Sequence, residues 1–409
     1  MKIIVWGINY APEPTGIAPY NVALCQFLHA GGHEVRMLTS FPYYPAWKKR
    51  PSDRRRLYRT DNHAGVPVHR CWHYVPHQVS SLKRIIHEAT FVAFSALRFL
   101  TLPSPDVIVV VSPPLLLGAA AWLATRVKRT PFVFHVQDLQ PDAAAGLGML
   151  KNIWLIRTLY WLEKFAYAKA ARISGIMPAM LEAFRRKRVP EAKLLEFPNG
   201  TNLPDPAAFP PRGLFRRRNN FDPDDFIALY SGNIGMKQGL EILVDAAQHI
   251  RNARIKIVIC GEGAQKQTLA QRATKLGLTN VLLLPLQSEN EYREMLVDAD
   301  LCLITQQKAA GNCFFPSKLL TTLAYAKPVL SVADSQSELA LAGCKGEFGI
   351  NIATNDPATL ASEIERIVAQ PLRLTEMGRS GRRFVTQFEF PSVLRSFEKQ
   401  LTSLVQPKS

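Results

Sequence analysis

Cysteine is scarce in this sequence, and two familiar catalytic signatures are missing. There are six cysteines in 409 residues, and no two of them form a Cys-x-x-Cys pair. This argues against a disulfide framework or a zinc knuckle and favours a reducing cytoplasm. The sequence also lacks the Gly-x-Ser-x-Gly and His-Glu-x-x-His motifs of serine hydrolases and zinc proteases. We expect no bound metal ion and no cofactor.

A long uninterrupted apolar run is also missing. The run at residues 3–6 is too short for the core of a signal peptide. Residues 106–125 are nearly all apolar but are broken by Ser112-Pro113-Pro114, which predicts a strand over 107–111 and then a helix with Ser112 as its N-cap. Residues 85–102 contain charged side chains. They predict a helix that lies either in the core of the first domain or in a membrane interface.

Acidic residues are few in the first half of the chain. Residues 1–200 hold 26 Lys and Arg against 12 Asp and Glu, whereas residues 201–409 hold 24 against 21. The net charge of +17 is therefore concentrated in the first half. A nucleic acid, a membrane surface or an anionic substrate would each account for such a surplus.

Short β-branched runs alternate with helical patterns along the chain, which is typical of parallel α/β sheets. Predicted strands cover residues 2–6, 34–38, 107–111, 132–136, 226–231, 256–260, 281–284, 301–305 and 328–332. Proline and arginine are frequent between the two halves, which predicts a linker. We expect two doubly wound domains, with boundaries at 1–198 for the first, 199–225 for the linker, 226–385 for the second, and 386–409 for a helix packing back toward the first.

The loops after the strands carry the candidate site, because ligands bind outside the carboxyl ends of strands in open parallel sheets. The clearest loop is residues 230–239, Tyr-Ser-Gly-Asn-Ile-Gly-Met-Lys-Gln-Gly, which leads into a helical pattern. Gly232 and Gly235 let the backbone approach an anion, the helix start supplies N–H groups, and Lys237 adds a positive charge. The loop predicts a diphosphate site, with a tight turn and a solvated lysine as the alternative.

Other loops of the second half add candidates. The turn at 261–263 follows a strand, and either a close ligand or turn chemistry alone explains its two glycines. Lys318 lies at the start of a predicted helix, on the same face as Thr321 or Thr322 and Tyr325, and adds a second cation. The candidate ligand-binding residues in this half are Gly232, Asn233, Gly235, Gly261, Glu262, Gly263, Leu286, Ser317, Lys318 and Thr321.

In the first half, Gly16 follows the first strand, and His135 and Asp138 stand at the end of the fourth. A histidine at a strand end is either a structural residue or a catalytic one, and the neighbouring Asp138 with its long following loop favours a role in chemistry.

Five motifs run through both halves of the chain. They are Asn9-Tyr10-Ala11-Pro12-Glu13-x-Thr15-Gly16-Ile17, Phe41-Pro42-Tyr43-Tyr44-Pro45-x-Trp47, His135-x-Gln137-Asp138, Ser231-Gly232-Asn233 with Lys237-Gln238-Gly239-Leu240-Glu241, and Phe315-Pro316-Ser317-Lys318-Leu319. Together they resemble the retaining glycosyltransferases of family 4, and are most similar to the colanic acid biosynthesis glycosyltransferases. The resemblance implies a GT-B fold, in which two Rossmann-like domains face each other across a cleft, the first binding the acceptor and the second the donor.

The resemblance also implies roles for single residues. Gly16 corresponds to the family glycine whose backbone faces the donor phosphate. His135 corresponds to the histidine that approaches the donor sugar, and Lys237 to the lysine that neutralises the diphosphate leaving group. Asp138 would support the sugar or the acceptor.

Two positions depart from the family pattern. Asn233 stands where the family often has an arginine. The family's Glu-x7-Glu pair, whose second member binds the ribose hydroxyls, is replaced by Cys313 and Thr321. Nucleotide recognition must therefore be arranged differently in this chain.

The implied activity is metal-independent, retaining transfer of a hexosyl or deoxyhexosyl group from a GDP- or UDP-sugar to a polyprenyl-diphosphate-linked saccharide, in exopolysaccharide or cell-surface glycan synthesis. The basic runs at 48–50, 54–56 and 83–84 would then face an anionic membrane, although ordinary solvated faces are the alternative. We expect a cytoplasmic, peripheral protein at the inner face of the plasma membrane.

Two other classes remain as alternatives. One is a non-hydrolysing nucleotide-sugar epimerase of the same two-domain form. The other is a basic nucleic-acid-binding protein, but the sequence offers neither an aromatic stacking platform nor a known nucleic-acid motif. We therefore expect no nucleic acid among the partners.

Overall fold

The computed structural model describes residues 1–78, 80–146, 152–307 and 317–405, and the chain divides into two compact units. Unit 1 comprises Met1–Gly200 together with the C-terminal helix, and unit 2 comprises Thr201–Glu389. Each unit is built around one sheet with helices on its faces.

Unit 1 contains an eight-stranded sheet in the order β3-β4-β2-β1-β5-β6-β7-β8, parallel except for the edge pair β3 and β4. Its strands are β1 (Lys2–Trp6), β2 (Glu34–Ser40), β3 (Tyr58–His63), β4 (Val66–Cys71), β5 (Val107–Ser112), β6 (Phe132–Val136), β7 (Arg172–Gly175) and β8 (Leu194–Glu196). Its helices are α1 (Ala18–Ala30), α2 (Ser81–Thr101), α3 (Leu117–Lys128), α4 (Gln140–Gly146), α5 (Ile153–Lys169), α6 (Pro178–Arg186) and α15 (Phe390–Val405).

Helix α2 packs on the sheet of unit 1. The ring of Phe99 stacks on Trp6 at 5.2 Å, and the indole N–H of Trp6 donates to the hydroxyl of Ser95 at 2.9 Å. Phe91 is also fully buried. One face of this helix therefore belongs to the core, which is the first of the two interpretations of residues 85–102.

The C-terminal helix α15 completes the core of unit 1. The ring of Phe397 stacks on that of Phe197 at 3.8 Å, and Val393, Leu394 and Leu401 are buried beside it. Burial of this apolar face, at about 25 cal/mol per Å², holds the end of the chain on unit 1.

The prediction for Ser112 is wrong. This residue is the last one of β5 and pairs with Val136 of β6. Helix α3 begins only at Leu117, after Leu116 as its N-cap. The strand continues one residue further than predicted because the buried Ser112 extends the pairing with β6.

Unit 2 contains a six-stranded parallel sheet in the order β11-β10-β9-β12-β13-β14. Its strands are β9 (Phe226–Ser231), β10 (Ile255–Cys260), β11 (Val281–Leu284), β12 (Leu301–Thr305), β13 (Val329–Val332) and β14 (Gly349–Ile352). Its helices are α7 (Leu214–Arg218), α8 (Glu241–His249), α9 (Lys266–Lys275), α10 (Glu289–Asp298), α11 (Ser317–Ala324), α12 (Glu338–Gly346), α13 (Pro357–Val368) and α14 (Pro371–Val385).

Residues 201–225, predicted as linker, are part of unit 2. They form α7, whose Phe215 is fully buried. The buried guanidinium of Arg216 donates to a carboxylate oxygen of Asp300 at 2.6 Å and to the main-chain carbonyl of Asp298 at 3.1 Å. A buried, paired arginine is costly to expose, so the proline- and arginine-rich composition misleads here.

Within the described residues, no helix combines the length and apolar character needed to cross a membrane.

Candidate functional site

The predicted donor loops lie at the point in unit 2 where the strand order reverses. The chain runs from β9 outward to β10 and β11, and then returns to the other side of β9 with β12. Ligands of open α/β sheets bind outside the carboxyl ends of the strands at such a point. Cys260 pairs with both Ser231 and Leu284, so the loops after β9, β10 and β11 start at the same level.

The first two of these loops are held together backbone to backbone. The N–H of Gly232 donates to the carbonyl of Cys260 at 2.8 Å, and the N–H of Ile234 to the carbonyl of Glu262 at 2.8 Å. Gly261 and Gly263 have φ values of +153° and +156°, and a Cβ on either would run into the backbone of the first loop. These two glycines are therefore explained by the neighbouring loop, and the structure brings both predicted glycine turns into one site.

Tyr230 shapes the glycine loop and was not predicted as a functional residue. Its hydroxyl donates to the carbonyl of Asn233 at 2.8 Å, and a Cβ on Gly232 would meet that same hydroxyl. The side chain of Asn233 is exposed, and a Cβ on Gly235 would lie 2.8 Å from its amide nitrogen. A tyrosine next to last in a predicted strand, two residues before a glycine, was the signal available in the sequence.

Lys237 lies in a single 3₁₀ turn, Met236–Gln238, and not in the helix that follows. The N–H of Gln307 donates to the carbonyl of Lys237 at 3.0 Å, and the hydroxyl of Thr305 donates to the carbonyl of Gln238 at 2.6 Å. The turn is thus fixed to the end of β12. Helix α8 begins after Leu240 without a side-chain cap. The N–H of Leu243 donates to the carbonyl of Leu240 at 3.0 Å, so the N–H groups of Glu241 and Ile242 are the ones that an anion could use.

Lys318 reaches the same edge of the sheet from α11. Burial lowers the pKa of its amine to about 8, and the nearby thiol of Cys260 acts in the opposite direction. Thr321 lies one turn further along the helix and is partly buried. Tyr325, predicted on the same face, instead stacks on Phe209 at 4.7 Å inside the core.

Two predicted features near α11 cannot be placed. Ser317 is the first residue of α11, but its side chain lies outside the described part of the structure. The loop that contains Cys313 falls among residues 308–316, which the structure does not describe.

Leu286 follows β11 and is partly exposed beside the glycine turns. The N–H of Gly261 donates to the carbonyl of Leu284 at 3.1 Å, and the thiol of Cys260 donates to the carbonyl of Pro285 at 3.2 Å. An exposed apolar side chain next to the predicted diphosphate site would offer a surface for a nucleobase.

In unit 1, Glu13 joins two of the quoted motifs, and sequence reasoning assigned it no role. Its buried carboxylate accepts hydrogen bonds from the N–H groups of Tyr43 and Tyr44, each at 2.9 Å, and from the amide of Asn9 at 2.8 Å. Burial raises its pKa. The exposed Gly16, with φ +71°, lies against the ring of Tyr44. The loops after β1 and β2 therefore lie together at one end of the sheet.

His135 is fully engaged inside unit 1. Its Nδ1 lies 2.9 Å from the hydroxyl of Ser174, and its Nε2 lies 2.7 Å from the amide nitrogen of Gln137. That amide also donates to the side chain of Asn199. Burial lowers the pKa of His135 to about 3, so the ring is neutral. To contact a donor sugar, it would have to give up one of these partners, and its direct role stays a prediction.

Asp138 is more accessible than His135. It is partly buried and close enough to Arg84 for the carboxylate and the guanidinium to attract each other. Arg84 in turn pairs with Glu88 of the same helix at 3.2 Å. Asp138 and Arg84 thus place charged groups of opposite sign at the end of β6.

Among residues 1–78, 80–146, 152–307 and 317–405, no three His, Cys, Asp or Glu side chains are grouped so that they could hold a metal ion.

Comparison with known proteins identifies the family. The model of the glycosyl transferase 4-like domain matches residues 15–200, and that of the glycosyl transferases group 1 matches residues 212–384. An Escherichia coli (strain K12) protein with the name "Putative colanic acid biosynthesis glycosyl transferase WcaI" is 34% identical over 83% of this chain and 85% of its own length. The probable glycosyltransferase WbjE of Pseudomonas aeruginosa is 27% identical over 58% of this chain and 59% of its own.

Solved structures agree on the fold. Sucrose-phosphate synthase from Thermosynechococcus elongatus superposes with a TM-score of 0.76 at 19% identity, covering 98% of each chain. Anabaena HepE in complex with UDP-glucose has a TM-score of 0.70 at 15% identity, covering 98% of this chain and 100% of HepE. The GT-B fold class, with two doubly wound α/β domains, is confirmed.

The chain therefore belongs to the group 1 glycosyltransferases, with a 4-like first domain, and it is a glycosyltransferase. The predicted similarity to the colanic acid biosynthesis glycosyltransferases is confirmed by the Escherichia coli relative.

Proposed function

We propose that this enzyme transfers a hexosyl or deoxyhexosyl group, with retention, from a UDP- or GDP-sugar to a polyprenyl-diphosphate-linked saccharide in exopolysaccharide or cell-surface glycan synthesis. The observation that carries the donor part of the proposal is the convergence at one edge of unit 2. The glycine loop after β9, the fixed turn with Lys237, the uncapped start of α8 and the buried amine of Lys318 all meet there.

The chemistry follows from these groups. The bond between the sugar C1 and the donor phosphate oxygen breaks, and negative charge develops on the leaving diphosphate. The cation of Lys237, the loop N–H groups and the ammonium of Lys318 stabilise that charge. The leaving phosphate takes the proton of the acceptor hydroxyl, whose oxygen then bonds C1 on the same face. No dedicated protein base and no metal ion enter this scheme.

The remaining parts of the proposal concern the acceptor and the place of action. An acceptor on a lipid diphosphate would bring the enzyme to the inner face of the plasma membrane. The surplus of positive charge in residues 1–200 supports an anionic partner. The name of the Escherichia coli relative supports a polysaccharide product.

Calorimetric titration with UDP, GDP and ADP tests the donor site. We expect one nucleoside diphosphate to bind, and its affinity to drop at least about tenfold in Lys318→Met, the loss of one charge-assisted contact. Lys275→Met, an exposed lysine at the end of α9, is the matched control and should bind as the wild type does. Equal affinity in both variants would contradict the assignment of Lys318.

A further inference from the structure

Two neighbouring helices of unit 1 leave large apolar side chains in solvent. Trp154 and Trp161 of α5 are 70% and 62% exposed, and Leu123 and Val127 of α3 are 61% and 67% exposed. Tryptophans seven residues apart lie on one face of a helix. Single exposed apolar residues are ordinary, but several of them on neighbouring helices mark an interaction surface for a protein or a membrane.

The two helices form one continuous surface. The ring of Trp122 on α3 meets that of Phe165 on α5 at 5.1 Å, and Phe165 stacks with Trp161 at 5.7 Å. Gly118 lets α3 approach Ala166 of α5 closely, since a Cβ on this glycine would clash with the alanine. Trp161 of α5 is thereby connected to α3 through Phe165 and Trp122.

The charges of this surface are almost all positive. Helices α3 and α5 contain five basic residues. Lys128 donates to the carbonyls of Leu100 and Leu102, and the other four are exposed, namely Arg126, Arg157, Lys164 and Lys169. Their single acidic residue, Glu163, is buried and bonded to Lys187 at 2.6 Å. The guanidinium of Arg157 lies over the ring of Trp154 at 5.2 Å.

The combination of exposed apolar side chains and flanking cations favours one kind of binding partner. Amphipathic aromatic rings bordered by arginine and lysine match the boundary between the headgroups and acyl chains of an anionic bilayer. A second copy of the chain would bring the same positive charges face to face, which opposes association.

We propose that the outward face of α3 and α5, formed by Leu123, Val127, Trp154 and Trp161 with their flanking cations, docks on an anionic lipid surface. The proposal rests on the proposed function, whose acceptor is lipid-linked, and it names the part of unit 1 that meets the bilayer. It differs from the expectation drawn from the basic runs. Lys49, in the first of those runs, donates to the carbonyl of His73 inside unit 1, and burial lowers its pKa to about 8.

Sedimentation with lipid vesicles tests the proposal. Vesicles of equal parts phosphatidylglycerol and phosphatidylcholine should carry the full-length protein down, and pure phosphatidylcholine vesicles much less. The double variant Trp154→Ser/Trp161→Ser should weaken this binding at least about tenfold. Both residues are exposed, so the variant should keep the melting temperature of the wild type.

Two control variants locate the surface. The triple variant Arg54→Ser/Arg55→Ser/Arg56→Ser removes an exposed basic run elsewhere in unit 1, and Leu372→Ser removes an 87% exposed apolar residue of unit 2. Both should keep most of the binding. Unchanged sedimentation of the tryptophan variant, or a greater loss in the arginine variant, would overturn the proposal.

Two further measurements separate the possible failures. Analytical ultracentrifugation that shows a wild-type dimer and a monomeric tryptophan variant would assign the surface to a second copy instead, and so overturn the proposal. Titration with the nucleoside diphosphate reports on the proposed function alone. Vesicle binding without nucleotide binding would contradict the donor assignment and leave the docking surface standing.

Discussion

The N–H of Ile234 donates to the carbonyl of Glu262 at 2.8 Å, and this bond joins the two glycine loops of unit 2. The loop after β9 is thereby held in place before any ligand arrives. A preorganised row of N–H groups costs little to reorient when charge develops on a leaving group.

Replacing Gly261 tests how far this loop contact matters. In Gly261→Ala the new Cβ meets the backbone of Gly232, so the two loops must separate. We expect a loss of about 2–4 kcal/mol in the free energy of unfolding and at least about tenfold weaker nucleotide binding, measured by denaturant titration and calorimetry.

The matched control for that prediction is Gly277→Ala. Gly277 has φ +65° but open space around its Cβ position. Gly277→Ala should lower the free energy of unfolding by only about 1 kcal/mol and leave nucleotide binding unchanged. Equal effects in both variants would show that backbone conformation alone explains Gly261.

The amine of Lys318 predicts a pH dependence of donor binding. Its pKa is lowered to about 8 by burial, so the charged form dominates below this pH and is lost as the pH rises above it. Nucleotide affinity should therefore fall between about pH 8 and pH 10, with proton uptake on binding in that range. Calorimetry in buffers of different ionisation enthalpy measures both effects.

An arginine at this position supplies the contrast. Lys318→Arg stays charged over the whole range and should flatten the pH dependence. A wild-type affinity that stays constant from pH 7 to pH 10 would contradict the placement of this amine at the phosphates.

His135 predicts an acid-sensitive stability of unit 1. The folded pKa of His135, about 3, lies below the ordinary value of 6.5. Its contribution to the free energy of unfolding is therefore present above pH 6.5 and is lost as the pH falls toward 3. From this residue alone, the free energy of unfolding changes by at most about 1.4 kcal/mol per pH unit. His135→Gln should be less stable than the wild type at pH 7, with the gap narrowing at lower pH.

The exposed His249, at the end of α8, provides the control in His249→Gln, which should follow the wild-type curve. His69 and His87 of unit 1 also have pKa values lowered to about 4 by burial, so only the difference between variant and wild type is diagnostic. A gap that does not change with pH would contradict the buried neutral state of His135.

The sequence predicted most of the sheet that carries the proposed donor site, but few of the contacts that reinforce its loops. The strands of unit 2 appeared as apolar runs because both faces of a parallel sheet are buried, and β9 and β12 were predicted at their observed bounds. The hairpin β3–β4 was missed because β3 is polar and lies at the sheet edge. Contacts such as Tyr230 to Asn233 join side chains to backbone and leave no periodic signal.

Chemistry-bearing residues were easier to find than to interpret. Lys237, in a loop after a strand, and Lys318, at the start of a helix, both stand out as cations. The structure brings both to one edge of unit 2. His135 also stands near a strand end, but its position inside β6 buries the ring. Glu13 was quoted only as a motif letter, since the two amides it holds are some thirty residues away in the chain.

The measurement that tests the central claim most directly is the turnover of Lys237→Ala with the donor that the nucleotide panel identifies. If Lys237 stabilises the leaving diphosphate, kcat should fall at least about a hundredfold, as for other groups that act on developing charge, while the melting temperature stays within a few degrees of the wild type. A variant that turns over at the wild-type rate would contradict the account.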